Sequence, residues 1–144
     1  MPTFVVEQLK DALDEKGISL KGSKVTVLGL SYKPNVGDMR ESPSIKIIKR
    51  LVEQGARVAA HDPYIADNIY AASQHAKSIK LIDPIMASIF DADAVIVATA
   101  HNEYDKLDMQ SIEAFGVKVI IDGRNCLNKQ QVIAAGMVYR GIGR

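Results

Sequence analysis

Val25-Thr26-Val27-Leu28 is a β-rich run, entered from the basic turn Lys21-Gly22-Ser23-Lys24. A strand wet on one side alternates apolar and polar residues; a near-continuous apolar run fits a strand covered on both faces, as in a parallel sheet. Downstream, Ser42 and Pro43 read as an N-cap and a first helical residue. Ile45, Ile48 and Leu51 with Val52 mark a buried helical face, and Gly55 stands where a helix stops. A second strand follows at residues 57–61. Residues 62–78 admit a short helix through their alanines and Tyr70, and a weak third strand fits at 80–82. Asp83-Pro84 repeats the cap-then-proline signal for a short helix ending near Phe90, before another buried run, Ala94-Val95-Ile96-Val97-Ala98. Asp108 caps a helix stopped by Gly116, a strand fits at 117–121, and Asn128 with Gln131 resembles a capping box for a helix closed by Gly136. Residues 137–139 form a final edge strand. Upstream of the opening run, Val5, Val6, Leu9, Ala12 and Leu13 recur at helical spacing, with Pro2 in the first turn and Gly17 at the end.

Strands alternating with helices imply right-handed crossovers and a parallel sheet with helices on both faces. The expected fold is α/β: a Rossmann-like three-layer sandwich with a mostly parallel sheet, preceded by an N-terminal helix. In the common doubly wound order the direction reverses between the strand at Val25 and the strand at Ala94. Ligands then bind in the crevice beyond the carboxyl ends of those strands. The chain's 144 residues, 47% of them apolar, suit one domain with a real core. Eighteen basic against seventeen acidic residues give a formal charge of +1, without the basic excess of nucleic-acid binders, so an anion site must be local. The apolar runs are too short to cross a bilayer, and the N-terminus lacks a signal-peptide pattern; a soluble, cytoplasmic protein is expected. Cys126 is the single cysteine, and no Cys or His pair has metal-ligand spacing, so no metal site is expected.

Three loops leave strands near the expected crevice: Ser31-Tyr32-Lys33-Pro34-Asn35, Thr99-Ala100-His101-Asn102 and Asp122-Gly123-Arg124-Asn125. Lys33 as a point charge and Arg124 as a bidentate fork can meet a diphosphate from two sides. Either alone could equally be a solvated surface charge; their shared place at strand ends favours a ligand. Only Gly29 stands in the first turn, so the glycine-rich NAD fingerprint is absent and a ligand there is held by side chains. Tyr32 can stack on a base or sugar, or simply pack. Arg40 sits just before a helix N-terminus, where a cation is unfavourable, and so calls for an external anion. His101 is a candidate acid or base without an evident second group, while His61 and His75 are weaker candidates. Cys126 reads as a small apolar residue rather than a reactive thiol.

The stretch Val27-Leu28-Gly29-Leu30-Ser31-Tyr32-Lys33-Pro34-Asn35-Val36-Gly37-Asp38-Met39-Arg40-Glu41-Ser42-Pro43 resembles the signature of the C-terminal domain of UDP-glucose/GDP-mannose dehydrogenases. His61-Asp62-Pro63-Tyr64, Ala98-Thr99-Ala100-His101-Asn102-Glu103-Tyr104 and Ile121-Asp122-Gly123-Arg124-Asn125 resemble the family in the expected order. The Tyr-Lys-Pro-Asn form is most similar to the branch acting on UDP-N-acetylated hexosamines, such as UDP-N-acetylmannosamine. The resemblance implies a parent enzyme of polysaccharide biosynthesis that oxidises C6 of a nucleotide sugar to a carboxylate in two NAD-dependent steps through a thiohemiacetal on a cysteine. Its NAD fingerprint and its Gly-Gly-x-Cys nucleophile lie in segments with no counterpart here, so this chain alone is expected to be inactive.

By the same resemblance, residues 1–20 are the tail of the parent's central helix and 21–144 a UDP-sugar-binding Rossmann-like domain. Tyr32, Lys33 and Arg124 match residues that contact the nucleotide sugar, and Arg40 matches one that touches NAD across the domain cleft. Partners implied are a UDP-sugar, the remaining domains of the parent and a second copy in a dimer built around the central helix; nucleic acid and membrane are not expected. Two rival readings stand beside this one. A stand-alone Rossmann-like nucleotide-binding or regulatory protein would use the crevice for another ligand, and a purely structural or dimerisation domain would bind no nucleotide.

Overall fold

A computed structural model of the chain describes residues 2–39, 42–65, 80–82 and 84–142. The elements in order are α1 (Pro2–Glu15), β1 (Lys24–Leu28), α2 (Pro43–Glu53), β2 (Arg57–His61), β3 (Lys80–Leu81), α3 (Ile85–Ile89) and β4 (Ala94–Val97). A 3-10 turn (Asn102–Lys106), α4 (Met109–Ala114), β5 (Val119–Asp122), α5 (Lys129–Ala134) and β6 (Val138–Gly141) complete them. The six strands form one sheet in the order β3-β2-β1-β4-β5-β6, every neighbouring pair parallel. The order reverses between β1 and β4, as the alternating pattern predicts.

Successive strand residues serve opposite layers. Val25 and Val27 of β1, Ala94 and Ile96 of β4, and Val119 and Ile121 of β5 pack with Val5, Val6, Leu9 and Leu13 of α1 and Ile45, Ile48 and Leu51 of α2. Leu28, Val95, Val97 and Ile120 face the other way, onto Ile89 of α3, Ile112 of α4, Val132 of α5 and Tyr104. Both faces are thus dry, which is why these strands read as apolar runs. Burying each of the Val, Leu and Ile side chains contributes roughly 1.5 to 3 kcal/mol.

The caps at Ser42, Asp108 and Asn128 form. The Ser42 side chain accepts from the Ser44 amide with Pro43 opening α2, Asp108 accepts from Gln110 N, and Asn128 accepts from Gln131 N. Gly17, Gly55, Gly116 and Gly136 follow their helices at positive φ.

Several boundaries differ from the sequence reading. Val52 is exposed, and Ser44 and Ile47 are buried in its place, because α1 also packs on α2 and centres the buried stripe on Ser44, Ile47, Ile48 and Leu51. Pro84 is the N-cap of α3 rather than its first helical residue, and has no side-chain cap bond. β5 starts later and ends later than the apolar run, at Val119–Asp122, since Lys118 N already bonds Asp93 O outside the ladder. β6 likewise runs over Val138–Gly141. The 3-10 turn after β4 carries no periodic signal in the sequence. The short helix expected within 62–78 falls largely outside the described residues, as do Asp83 and His75.

Candidate functional site

β1 and β4 end side by side, and their exit loops touch. Gly29 leaves β1 at φ +100, and a Cβ there would lie 2.4 Å from Thr99 Cβ, so only glycine lets the two loops close up. The Thr99 hydroxyl donates to Ser31 O at 2.7 Å, and Ala98 N donates to Leu28 O at 2.9 Å. The β5 loop joins them: Gly123 N donates to Val97 O at 2.9 Å, and a Cβ on Gly123 would sit 2.8 Å from that oxygen.

Arg124 then reaches across the switch point. Its Nε donates to Ala98 O at 2.9 Å and its Nη2 to Tyr32 O at 3.4 Å, so the guanidinium bridges the β4 and β1 loops. Lys33 follows Tyr32 directly and is exposed, and the Tyr32 ring is 48% exposed beside it. The structure therefore sets Arg124 against the backbone of Tyr32, with Lys33 next in the chain and all three exposed, at the switch point where the topology sets aside a place for a ligand. Arg40 lies outside the described residues.

Beneath this surface is a polar cluster the sequence reading missed. Asp62, just past the end of β2, is buried and accepts from Leu30 N at 2.8 Å, Ser31 N at 3.0 Å, Ser31 Oγ at 2.9 Å and Tyr64 N at 2.8 Å. His101, fully buried, sits with Nε2 3.0 Å from Asp62 Oδ2, and its Nδ1 accepts from Asn35 N at 2.7 Å. An Nδ1 that accepts an amide proton carries none, so the ring is the neutral Nε2–H tautomer. Burial works to raise the Asp62 pKa. The hydrogen bonds from His101, Leu30 N and Tyr64 N, with the electrostatic effect of His101, outweigh it and hold the carboxyl below its ordinary value.

These contacts correct the idea of His101 as an acid or base: both ring nitrogens are committed inside the protein and neither faces the crevice. The Asp-Pro step after β2 is the one sequence signal that pointed at Asp62. Asn35 turns its loop at φ 61, in the left-handed region.

The other titratable groups near the crevice are structural as well. Asp122 is buried at the end of β5 and accepts from Cys126 N at 3.1 Å, Leu127 N at 2.8 Å and the Tyr139 hydroxyl at 2.9 Å, folding the turn that presents Arg124. Burial first, then the nearby charges of Asp122 and Asp105, push the Cys126 thiol up to about 12. Such a shift favours the protonated thiol at neutral pH and works against a nucleophilic role. His61 is buried against Tyr104, whose hydroxyl donates to His61 O at 3.0 Å; burial holds that phenol well above its usual pKa.

The turn after β1 does not fit the pyrophosphate of a dinucleotide. The amides of Leu30 and Ser31, which a glycine-rich turn would offer to phosphate, are both spent on the Asp62 carboxylate. A ligand of this crevice is held by the side chains above it.

Residues 26–129 match the UDP binding domain of the UDP-glucose/GDP-mannose dehydrogenase family. UDP-glucose 6-dehydrogenase of Rickettsia bellii is 35% identical over 99% of this chain, and UDP-N-acetyl-D-mannosamine dehydrogenase of Pyrococcus horikoshii is 32% identical over 100% of it. The chain spans 32% and 31% of the length of those two relatives. In structure, an NDP-N-acetyl-D-galactosaminuronic acid dehydrogenase from Methanosarcina mazei is similar with a TM-score of 0.89 at 31% identity, over 99% of this chain and 29% of that one. Relatives named for UDP-N-acetyl-D-mannosamine stand beside those named for UDP-glucose, so identity alone separates no branch. By its sequence match, its strand order and its similarity to these structures, the chain belongs to the UDP-glucose/GDP-mannose dehydrogenase family and carries that family's UDP-binding domain.

Proposed function

We propose that this chain is the nucleotide-sugar-binding part of an NAD-dependent UDP-sugar 6-dehydrogenase, which oxidises C6 of a UDP-hexose or UDP-N-acetylhexosamine to a uronate. One observation carries the reading: the Arg124 guanidinium bridges Ala98 O and Tyr32 O at the switch point, one residue from the exposed Lys33. Two of its donors hold the loops in place, and the rest of the fork is suited to a diphosphate oxygen. Lys33, next to Tyr32 in the chain and exposed, supplies a second positive charge, and Tyr32 an aromatic face for the base or sugar.

The oxidation itself is assigned to groups outside this chain. Cys126 is too basic and too committed to Asp122 to form a thiohemiacetal. NAD is assigned to another domain of the parent, because the β1 turn here has no amides left for its pyrophosphate; Arg40 is the residue proposed to reach it across the cleft. A homodimer and a place in cytoplasmic polysaccharide biosynthesis complete the reading.

Calorimetric titration of the 144-residue chain with UDP, UDP-N-acetylglucosamine and NAD tests it. The expected result is saturable binding of both UDP species and none of NAD. Binding of NAD alone would refute the assignment and favour a stand-alone dinucleotide-binding protein.

A further inference from the structure

The loop of residues 31–38 carries Tyr32 and Lys33, so whatever fixes its shape fixes the site. It is tied at several points. Ser31 is held by Asp62, and Tyr32 N donates to Asp38 O at 2.9 Å. Gly37 lies so close under Tyr64 that a Cβ would fall 1.9 Å from Tyr64 O. At the middle, Asn35 turns through its left-handed conformation, and its amide donates to His101 Nδ1. The Asn35 side chain closes the same knot, accepting from Asn102 N at 3.0 Å with the Tyr64 hydroxyl 3.2 Å away. Tyr64 also covers the imidazole, ring centroids 4.6 Å apart, and keeps water from it.

We propose that His101 is a positioning residue for the nucleotide site, its Nδ1 holding the backbone of Asn35 so that Tyr32 and Lys33 stand opposite Arg124. Asp62 takes part by accepting from Nε2, which leaves Nδ1 without a proton and free to accept. The arrangement follows the logic of a second-layer carboxylate that sets an imidazole tautomer, with a loop backbone in place of a metal or a nucleophile. The role in binding rests on the function proposed above; the role in ordering the loop does not.

Two substitutions separate the two halves of the clamp. Asn at position 101 places an amide oxygen near the Nδ1 position, retaining an acceptor for Asn35 while giving up Asp62. Gln reaches the Nε2 position, retaining Asp62 while giving up Asn35. A histidine that merely filled space would make the two variants alike.

The experiment combines imidazole 15N shifts of the unaltered chain, amide hydrogen exchange at Asn35, and UDP titration of His101→Asn and His101→Gln. The expected shifts report a protonated Nε2 and a bare Nδ1. Exchange at Asn35 should accelerate about three- to ten-fold in His101→Gln and stay near the unaltered rate in His101→Asn. UDP affinity should fall by about the same factor in His101→Gln, the equivalent of one net hydrogen bond. A proton on Nδ1 in the unaltered chain, equal exchange in the two variants, or full UDP affinity in a His101→Gln chain whose Asn35 has lost protection would each overturn the proposal. If both variants fail to fold, a proton on Nδ1 of the unaltered chain, with fast exchange at Asn35, still overturns it, and a bare Nδ1 with Asn35 protected supports it. If the unaltered chain does not bind UDP, the proposed function falls, while Asn35 exchange still tests the positioning role separately.

Discussion

Replacing Asp62 by Asn removes one charge at a point where five donors converge: Leu30 N, Ser31 N, Ser31 Oγ, His101 Nε2 and Tyr64 N. All but the last approach Oδ2, so the best accommodation keeps the amide oxygen there and turns the NH2 toward Tyr64 N. Tyr64 N–H then meets a donor, and the four remaining bonds lose their charge assistance. A hydrogen bond to a charged group contributes about 1.5 to 3 kcal/mol and a neutral one about 0.5 to 1.5. Four such losses cannot add in full on one crowded oxygen, and an overall destabilisation of about 3 kcal/mol is expected, large against the total of about 5 to 15 for a domain. The assay is urea unfolding of both chains near neutral pH. Acid provides a second arm. The Asp62 pKa is lowered below 3.8 in the folded state, so its contribution is complete above the unfolded value and is lost as pH falls through the folded one. The gap between the two chains should hold steady down to about pH 4 and narrow below it. A gap under about 1 kcal/mol, or one unchanged in acid, would refute the argument that this carboxylate organises the loops.

Gly37→Ala forces a methyl group onto Tyr64 O, a backbone atom, so the loop must move; a loss of about 1 to 3 kcal/mol in urea unfolding and weaker UDP binding are expected. Gly29→Ala meets both a positive φ and the Thr99 side chain, and should destabilise at least as much by the same measurement. With its thiol pushed up to about 12, Cys126 should react with a disulfide reagent far more slowly in the folded chain than in denaturant; equal rates would contradict its burial beside Asp122.

The sheet and its switch point were legible because each rests on short-range rules. Buried parallel strands read as apolar runs, Ser42, Asp108 and Asn128 announce their helices, and β-α alternation leaves little choice of topology. Strand ends were less legible. Val117 is buried without joining the ladder, and Asp122 joins it although it is charged, because amides of the next turn and Tyr139 satisfy its carboxylate inside the fold. Arg124 and Tyr32 meet across the switch point, with Lys33 beside Tyr32 in the chain. The clamp beneath them did not show in the sequence, since Asp62 and His101 lie far apart in the chain and meet only when β2 and β4 flank β1. Short-range pattern holds no record of that meeting, and a histidine in a loop after a strand reads as catalytic until its two nitrogens are seen to be taken.

If Lys33 and Arg124 form the proposed diphosphate site at the β1/β4 switch point, UDP titration of Lys33→Ala and Arg124→Ala against the unaltered chain shows it. Each variant should lose about ten-fold or more in affinity, as expected for one charge-assisted contact of about 1.5 to 3 kcal/mol. Stability should change by no more than about 1 kcal/mol in Lys33→Ala, whose side chain is exposed, and by more in Arg124→Ala, which also gives up the bonds to Ala98 O and Tyr32 O. UDP affinity unchanged in both variants would contradict the account, however well the fold itself is borne out.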